Sequence, residues 1–235
     1  MTGLFDRIFC IHLESRADRM AHMLAHLPSL GIGPGDVEWW PARRTIPGRH
    51  GAAMAHRGIA ERQLREGWGR VLVLEDDVRL IRRRALHYVG AAMADAPWDV
   101  FYLGAQANPR HARIVGEAEH SFRVVGLTGC FAVAYSPRIC RALVPNVSPV
   151  GTIAGGLHVD RLVEQLVQEG MVARCPRNLP VGHALVGRSD TDVSPRPQGV
   201  SEEYHKAWFA HMKRGWATRY PRRWVPGRAP ATPAS

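Results

Sequence analysis

The order of strand-like and helix-like segments predicts an α/β protein built on a mostly parallel sheet. The run "VLVL" at 71–74 is apolar at every position, which is typical of a parallel strand covered on both faces. Strand-like runs also alternate with helix-like segments up to residue 104. This alternation supplies the crossover connections that parallel strand pairing needs.

The individual elements are predicted from the spacing of apolar residues and from helix start and stop residues. The predicted strands are 7–13, 37–40, 71–74 and 98–104, and the predicted helices are 15–32, 51–69, 82–95 and 157–171. Ser15 is a candidate N-cap of the first helix, and Gly69 closes the second. After residue 104, short segments such as "SFRVVG" and "GCFAVAYS" predict antiparallel additions to the sheet.

Composition and charge limit the classes of protein to consider. No run reaches the roughly 20 apolar residues of a membrane-spanning helix, and the N-terminal "MTGLFDRIFCIHL" lacks a basic leader, so we expect a cytoplasmic protein. The 4 cysteines form no C-x-x-C pair, which favours buried thiols over zinc ligands or disulfides. The net charge of +10 favours anionic partners such as nucleotide phosphates, nucleic acid or an acidic lipid surface.

The chain is predicted to consist of an α/β domain over residues 1–200 and a basic, aromatic extension over residues 201–235, with a disordered end. No acidic residue follows Glu203, and Lys and Arg alternate with Trp and Tyr beyond it. Three interpretations of the extension are open: packing on the domain, contact with an anionic membrane surface, or stacking on single-stranded nucleic acid. The last is disfavoured because no nucleic-acid motif accompanies it.

Three carboxylates, Glu75, Asp76 and Asp77, follow the apolar run directly. Ligands of parallel α/β sheets collect at the carboxyl ends of the strands, so a site is expected here. In an extended backbone, Glu75 and Asp77 converge on one side of the chain while Asp76 points away. Convergent carboxylates raise each other's pKa unless a cation compensates them, so the cluster predicts Mg²⁺ or Mn²⁺ bound together with a diphosphate. Alternatively, the carboxylates cap the next helix or pair with the basic segment "RLIRRR".

Other candidate residues lie on the first two predicted helices. Arg16 and Arg19 follow the first strand, where they either pair with a diphosphate or form a solvated helix face. His56 shares a helix face with Ala52 and Ile59, which is consistent with a buried histidine or with a substrate contact.

Several segments, in order, resemble glycosyltransferase family 25. The opening "FCIHLESRADRM" is similar to that family's first strand and its Asn-Leu-x-x-Arg-x-Asp-Arg-like element, with His12 in place of the usual Asn. The stretch "GRHGAAMAHRGIAERQLREGWGRVLVLEDDV" resembles its Gly-x-x-x-Ser-His helix and Leu-Glu-Asp-Asp-Val strand, with Ala55 in place of Ser. Further matches are "WDVFYLG", "TGCFAVAYSPRICRAL", "HVDRLVEQLVQEGMVARCP" and "GRSDTDVS", so that the resemblance runs over residues 5–195.

The resemblance implies a GT-A type, Rossmann-like domain that binds a nucleotide sugar with a divalent metal, Mn²⁺ or Mg²⁺. Asp77 would contact the metal, and Glu75 or Asp76 would lie near the metal, its bound water or the ribose. Asp160 matches the family's Val-Asp position and would be the catalytic base; alternatively it is a first-turn acid favoured by the helix dipole. His183 would complete the metal shell, as a late histidine does in some GT-A enzymes.

The same resemblance implies transfer of a hexose, galactose or glucose, from a UDP-sugar to a glycan, glycolipid or hydroxylysine-type acceptor, with inversion. Asp190 and Asp192 would bind metal or sugar, or else form turns. A cytoplasmic enzyme with peripheral contact to an anionic membrane would suit a glycolipid acceptor. Two alternatives are open: a non-catalytic relative that binds glycans or a partner, and a Mg²⁺-dependent phosphohydrolase. The D-x-D-x-T phosphatase pattern is absent.

Overall fold

The computed structural model describes residues 1–45, 48–107, 112–147 and 158–183. These residues form an α/β fold with one eight-stranded sheet and one two-stranded sheet, which confirms the predicted fold class. The strands are β1 Arg7–His12, β2 Val37–Pro41, β3 Val71–Glu75, β4 Val78–Leu80, β5 Val100–Ala107, β6 Arg113–Glu117, β7 Ser121–Val125, β8 Leu127–Tyr135, β9 Ala173–Pro176 and β10 Val181–His183. The α-helices are α1 Ala17–His26, α2 Gly48–Glu66, α3 Arg83–Leu86, α4 Val89–Ala94, α5 Pro137–Asn146 and α6 Val159–Gln168.

The large sheet has the strand order β2-β1-β3-β8-β5-β9-β7-β6, and β4 pairs with β10 in the small sheet. In the large sheet only β7 and β8 run against the direction of the other strands. The parallel strands β1, β2 and β3 are in register, with Ile11 opposite Glu75 and His12 opposite Pro41. The sheet is therefore mostly parallel with antiparallel additions, as predicted, although β8 is inserted in its middle.

The large sheet is covered on both faces, which explains the continuous apolar run in β3. Val71 and Val73 face a core formed with α2, α5 and α6. Leu72 and Leu74 face a second core, formed with α1, α4 and the small sheet. Each of these four side chains is fully buried, so β3 is held by hydrophobic packing on both of its faces.

The predicted first helix differs from the observed one at both ends. The N-cap of α1 is Arg16 and not Ser15, and no side chain caps it. The helix ends at His26 and is followed by a 3₁₀ helix, Leu27–Leu30, in which Pro28 lies in the first turn. Proline has no N–H for the α-helical hydrogen bond, and Gly31, with φ 68°, then closes the segment.

The remaining predictions about composition can be compared with the described residues. Cys10, Cys130, Cys140 and Cys175 are free and buried, as predicted. No helix in the described ranges combines the length and the apolar character needed to cross a membrane. The extension over residues 201–235 lies outside the described residues, and so do Asp190 and Asp192.

Candidate functional site

The acidic cluster lies at the carboxyl edge of the parallel strands. The strands β1, β2 and β3 end side by side at His12, Pro41 and Glu75. Asp76 and Asp77 form the tight turn between β3 and β4, so the backbone of β4 starts directly after the cluster. The sequence prediction that a core strand carries these carboxylates to the sheet edge is therefore confirmed.

Asp76 is the most strongly held member of the cluster, and it is only 5% exposed. His12 Nδ1 lies 3.0 Å from Asp76 Oδ2, and Arg19 Nη1 donates to Asp76 Oδ1 at 2.8 Å. The same Arg19 nitrogen lies 3.1 Å from Asp77 Oδ2. The expectation that Asp76 points away from its neighbours is wrong, because the extended backbone ends at Glu75 and side-chain alternation stops there.

Glu75 is half-buried, and the charges of Asp77 and Asp76 lie close to it. Burial and the charges of Asp77 and Asp76 raise its pKa to about 8, although the guanidinium of Arg19 acts in the opposite direction. These surroundings favour the protonated form of Glu75. A cation bound beside Glu75 would favour its ionised form.

Arg16 and Arg19, the two candidates for diphosphate binding, both contact carboxylates of the chain. Arg16 donates two hydrogen bonds to Asp18, at 2.8 and 2.7 Å, and these bonds lower the pKa of Asp18 to about 2. Arg19 is only 8% exposed, and it links α1 to the acidic turn. Arg19 therefore joins α1 to the acidic cluster through ion pairs with Asp76 and Asp77, and its binding of a phosphate stays a prediction.

A cleft of about 60 Å³ opens beside the cluster, and it reveals two basic residues that the sequence analysis missed. Arg43 and Arg44 follow β2 and line the cleft together with Glu75 and Asp76, and both arginines are exposed. Apolar side chains such as Ile11 and Ala52 form other parts of the lining. A basic pair directly after a strand, in "PARRT", was the available indication in the sequence.

Asp160, the predicted catalytic base, lies in the first turn of α6 and is half-buried. Its Oδ2 accepts a hydrogen bond from the backbone N–H of Gly129 at 3.2 Å, and its Oδ1 accepts one from the N–H of Arg161 at 2.9 Å. Asp160 also contributes to the raised pKa of Glu75. The structure therefore places Asp160 on the side of the sheet edge that carries the acidic cluster.

The two candidate histidines differ in what the structure shows. His56 is fully buried, its Nδ1 lies 3.0 Å from the Tyr135 hydroxyl, and burial lowers its pKa to about 4. Of the two interpretations of His56, a buried histidine or a substrate contact, the structure supports the buried histidine. The backbone of His183 pairs with Val78, the residue after Asp77, while its side chain is outside what the structure describes.

The carboxylates can be compared with what a divalent cation requires. Among the described residues, no group of three or more His, Cys, Asp and Glu side chains could hold a metal ion by itself. Mg²⁺ in nucleotide sites commonly takes one or two protein carboxylates and completes its shell with water and substrate phosphates. Glu75 and Asp77 fit such a set, whereas both oxygens of Asp76 already contact His12 or Arg19.

The fold and the site define an α/β protein with a candidate ligand site at the carboxyl edge of its parallel strands. No family model matches the chain. A glycosyltransferase 25 family member of Anopheles gambiae is 32% identical in an alignment of 130 positions that covers 42% of this chain and 22% of that protein. The human protein named "Inactive glycosyltransferase 25 family member 3" is 31% identical in an alignment of 162 positions that covers 56% of this chain and 26% of that protein.

These names confirm the resemblance to glycosyltransferase family 25 at about 30% identity over about half of the chain. The chain spans about a quarter of the length of the curated relatives it matches. Among solved structures, the inositol-1-phosphate CTP transferase of T. maritima is similar with a TM-score of 0.43 and 11% identity, over 89% of this chain and 78% of that chain. A likeness of this size adds nothing to what the topology itself shows.

Proposed function

We propose that this protein is a metal-dependent glycosyltransferase that moves a hexose, galactose or glucose, from a UDP-sugar to a glycan, glycolipid or hydroxylysine-type acceptor, with inversion. The observation that carries the proposal is the acidic cluster of Glu75, Asp76 and Asp77, which lies at the sheet edge beside a cleft with a basic wall. The similarity to glycosyltransferase 25 family members supports this class of reaction.

In this proposal Asp77 and Glu75 would hold Mn²⁺ or Mg²⁺, with His183 as a further ligand. The bound cation would neutralise charge that develops on the leaving diphosphate. Asp76 would orient the turn through its contacts with His12 and Arg19 and would lie near the ribose or a metal-bound water.

The basic residues around the cleft would bind the donor diphosphate. Arg43 and Arg44 lie on the cleft wall, and guanidinium groups bind phosphate oxygens through paired hydrogen bonds. Arg16 and Arg19 would contribute positive charge from the start of α1, although both also contact carboxylates. The donor would then lie between the basic wall and the acidic cluster.

Asp160 would accept the proton of the acceptor hydroxyl as that hydroxyl attacks the sugar. An inverting transfer needs one carboxylate in this role, on the side of the sugar opposite the leaving group. The hydrogen bond from Gly129 would hold the Asp160 carboxylate in position at the sheet edge.

The location of the protein is also part of the proposal. With a net charge of +10, the chain would act in the cytoplasm with peripheral contact to an anionic membrane surface. The extension over residues 201–235 would provide this contact, and a glycolipid acceptor would be reached at the same surface.

The test is thermal unfolding with UDP-, GDP- and CMP-sugars, with and without Mn²⁺. A ligand at about 100 times its dissociation constant adds roughly 2.7 kcal/mol to the free energy of unfolding. We expect stabilisation by a UDP-sugar that depends on Mn²⁺ and is lost in Asp77→Asn. The matched control is Asp36→Asn, which changes an exposed carboxylate in a separate 3₁₀ helix. If no nucleotide sugar stabilises the wild type, the proposal is wrong.

A non-catalytic relative that binds nucleotide sugars or glycans is a second candidate. Arg19 lies 3.1 Å from Asp77, so a guanidinium already contacts the carboxylate assigned to the metal, and the human relative is named inactive. Release of UDP from the stabilising UDP-sugar separates the two candidates. Turnover that is lost in Asp160→Asn supports the transferase, whereas binding without any turnover supports the non-catalytic protein.

A further inference from the structure

A second cleft, of about 200 Å³, lies away from the acidic cluster and has no role in the function proposed above. Its lining combines an exposed aromatic ring with an imidazole, a guanidinium and an amide. The lining residues are Ala85, Tyr88, His120, Pro176, Arg177 and Asn178. We call it the Tyr88 cleft.

Tyr88 gives the cleft an apolar wall that solvent can reach. It is 57% exposed, the highest value among the exposed large hydrophobic side chains of the described residues. Its ring lies nearly parallel to that of His120, with an interplanar angle of 28° and centroids 6.1 Å apart. A flat apolar ligand that stacks on the exposed Tyr88 ring would remove apolar area from water. The ring therefore favours a ligand with such a face.

The polar part of the cleft is held in place before any ligand binds. Asp95 Oδ2 accepts a hydrogen bond from the backbone N–H of His120 at 2.6 Å, and the N–H of Arg177 donates to the carbonyl of His120 at 3.0 Å. Arg177 Nε also donates to the carbonyl of Glu119 at 2.8 Å. Because these contacts fix the wall, a ligand would lose little affinity to the ordering of the protein.

The combination of an exposed ring with amide and guanidinium groups matches the chemistry of a sugar. A pyranose presents an apolar C–H face, which stacks on an aromatic ring, and hydroxyl groups around its rim, which pair with planar polar side chains. Asn178 is exposed, so its amide can offer N–H donors to such a rim. Arg177 Nε and Nη2 already donate to the carbonyls of Glu119 and Ala118, so Arg177 contributes mainly a fixed positive charge.

The cleft also lies at the sheet edge that carries the acidic cluster. Pro176 ends β9, which is parallel to β5, and three strand spacings separate β9 from β3 in the order β3-β8-β5-β9. At about 4.8 Å for each spacing this is a span of about 14 Å. The Tyr88 cleft is therefore a second site, set apart from the acidic cluster along the sheet.

We propose that the Tyr88 cleft binds a saccharide at a site separate from the acidic cluster. Saccharide binding at this cleft is independent of the proposed sugar transfer. Tyr88 is the stacking residue, and His120, Arg177 and Asn178 form the polar wall.

The test is binding of the full chain, displayed multivalently, to a printed array of bacterial and animal glycans. We expect binding by wild type and Tyr88→Phe, which keeps the ring, and at least a tenfold weaker response for Tyr88→Ala. The matched control is Leu24→Ala, which removes an exposed apolar side chain from α1 and should bind as wild type does. No glycan bound by the wild type, or equal binding by Tyr88→Ala, overturns the proposal.

A parallel measurement of UDP-sugar stabilisation keeps the two proposals distinguishable. Tyr88→Ala should retain the full Mn²⁺-dependent stabilisation, because the donor cleft is built from other residues. If the wild type binds a glycan but no UDP-sugar, saccharide binding at the Tyr88 cleft is supported and the proposed sugar transfer is wrong. If Tyr88→Ala loses both properties, the substitution disturbs the fold, and Asn178→Ala, at an exposed lining residue, decides instead. Glycan binding by Asn178→Ala equal to that of the wild type would then overturn the saccharide assignment.

Discussion

Replacing Glu75 by Gln should stabilise the protein in alkaline solution. The pKa of Glu75 rises from 4.5 to about 8 on folding, because partial burial and the charges of Asp77 and Asp76 disfavour its ionised form. Between these two pH values the unfolded chain releases the proton and the folded chain retains it. The free energy of unfolding of the wild type therefore falls as pH rises from about 4.5 to 8.

The rise of the pKa from 4.5 to about 8 corresponds to a penalty of roughly 5 kcal/mol, at 1.36 kcal/mol for each pH unit. Glutamine keeps the shape of the protonated side chain and has no charge to bury. We expect Glu75→Gln and wild type to be similarly stable at pH 5, and the variant to be more stable by roughly 4 kcal/mol at pH 9, in Mn²⁺-free buffer.

Urea unfolding between pH 5 and 9 measures this difference, provided that the slopes against denaturant agree. The matched control is Glu66→Gln, whose parent carboxylate is 42% exposed and should show no comparable trend. A difference between Glu75→Gln and wild type that stays constant from pH 5 to 9 would refute the electrostatic account of the cluster. Added Mn²⁺ with a UDP-sugar should reduce the wild-type penalty.

Two further predictions concern buried polar groups. Arg19→Met should lower the free energy of unfolding by roughly 3–5 kcal/mol, because it removes one ion-pair partner from buried carboxylates. The control is Arg65→Met, whose parent side chain is 66% exposed; it should lower the free energy of unfolding by under about 1 kcal/mol. Equal losses in urea unfolding would contradict this. Burial lowers the pKa of His56 from 6.5 to about 4, so between these pH values the unfolded chain binds a proton that the folded chain does not. The free energy of unfolding of the wild type should therefore fall by roughly 3 kcal/mol as pH falls from 7 to 4. His56→Gln should not show this fall in stability, whereas the control His87→Gln, at an exposed histidine, should show it. The same dependence of unfolding free energy on pH in all three proteins would contradict the role of His56.

The fold class was predictable because its indications are local. A run such as "VLVL" needs apolar cover on both faces, and strand–helix alternation predicts parallel crossovers. The place of β8 between β3 and β5 was not predicted, because strand order depends on contacts between distant segments. Its nearly continuous burial, seen in "FAVAY" as an apolar run, was the one local indication of a central position.

The site was predictable in location but not in its contacts. The position of Glu75 follows from the end of a buried strand, which the sequence shows directly. The partners of Asp76 lie 64 and 57 residues away, at His12 and Arg19, and no local pattern relates them. The alternation rule failed at Asp76 because it holds only while the backbone stays extended, and the chain turns immediately after Glu75.

The central position of β8 has a consequence for how the chain folds during synthesis. Both neighbours of β8, β3 and β5, are made earlier and have no partner on their facing edges until residues 127–135 arrive. Until then those two apolar edges are open to pairing with other chains. During synthesis the sheet cannot be completed until β8 has emerged from the ribosome. We expect that chaperones protect the nascent chain from aggregation mainly in the interval between the emergence of β5 and that of β8.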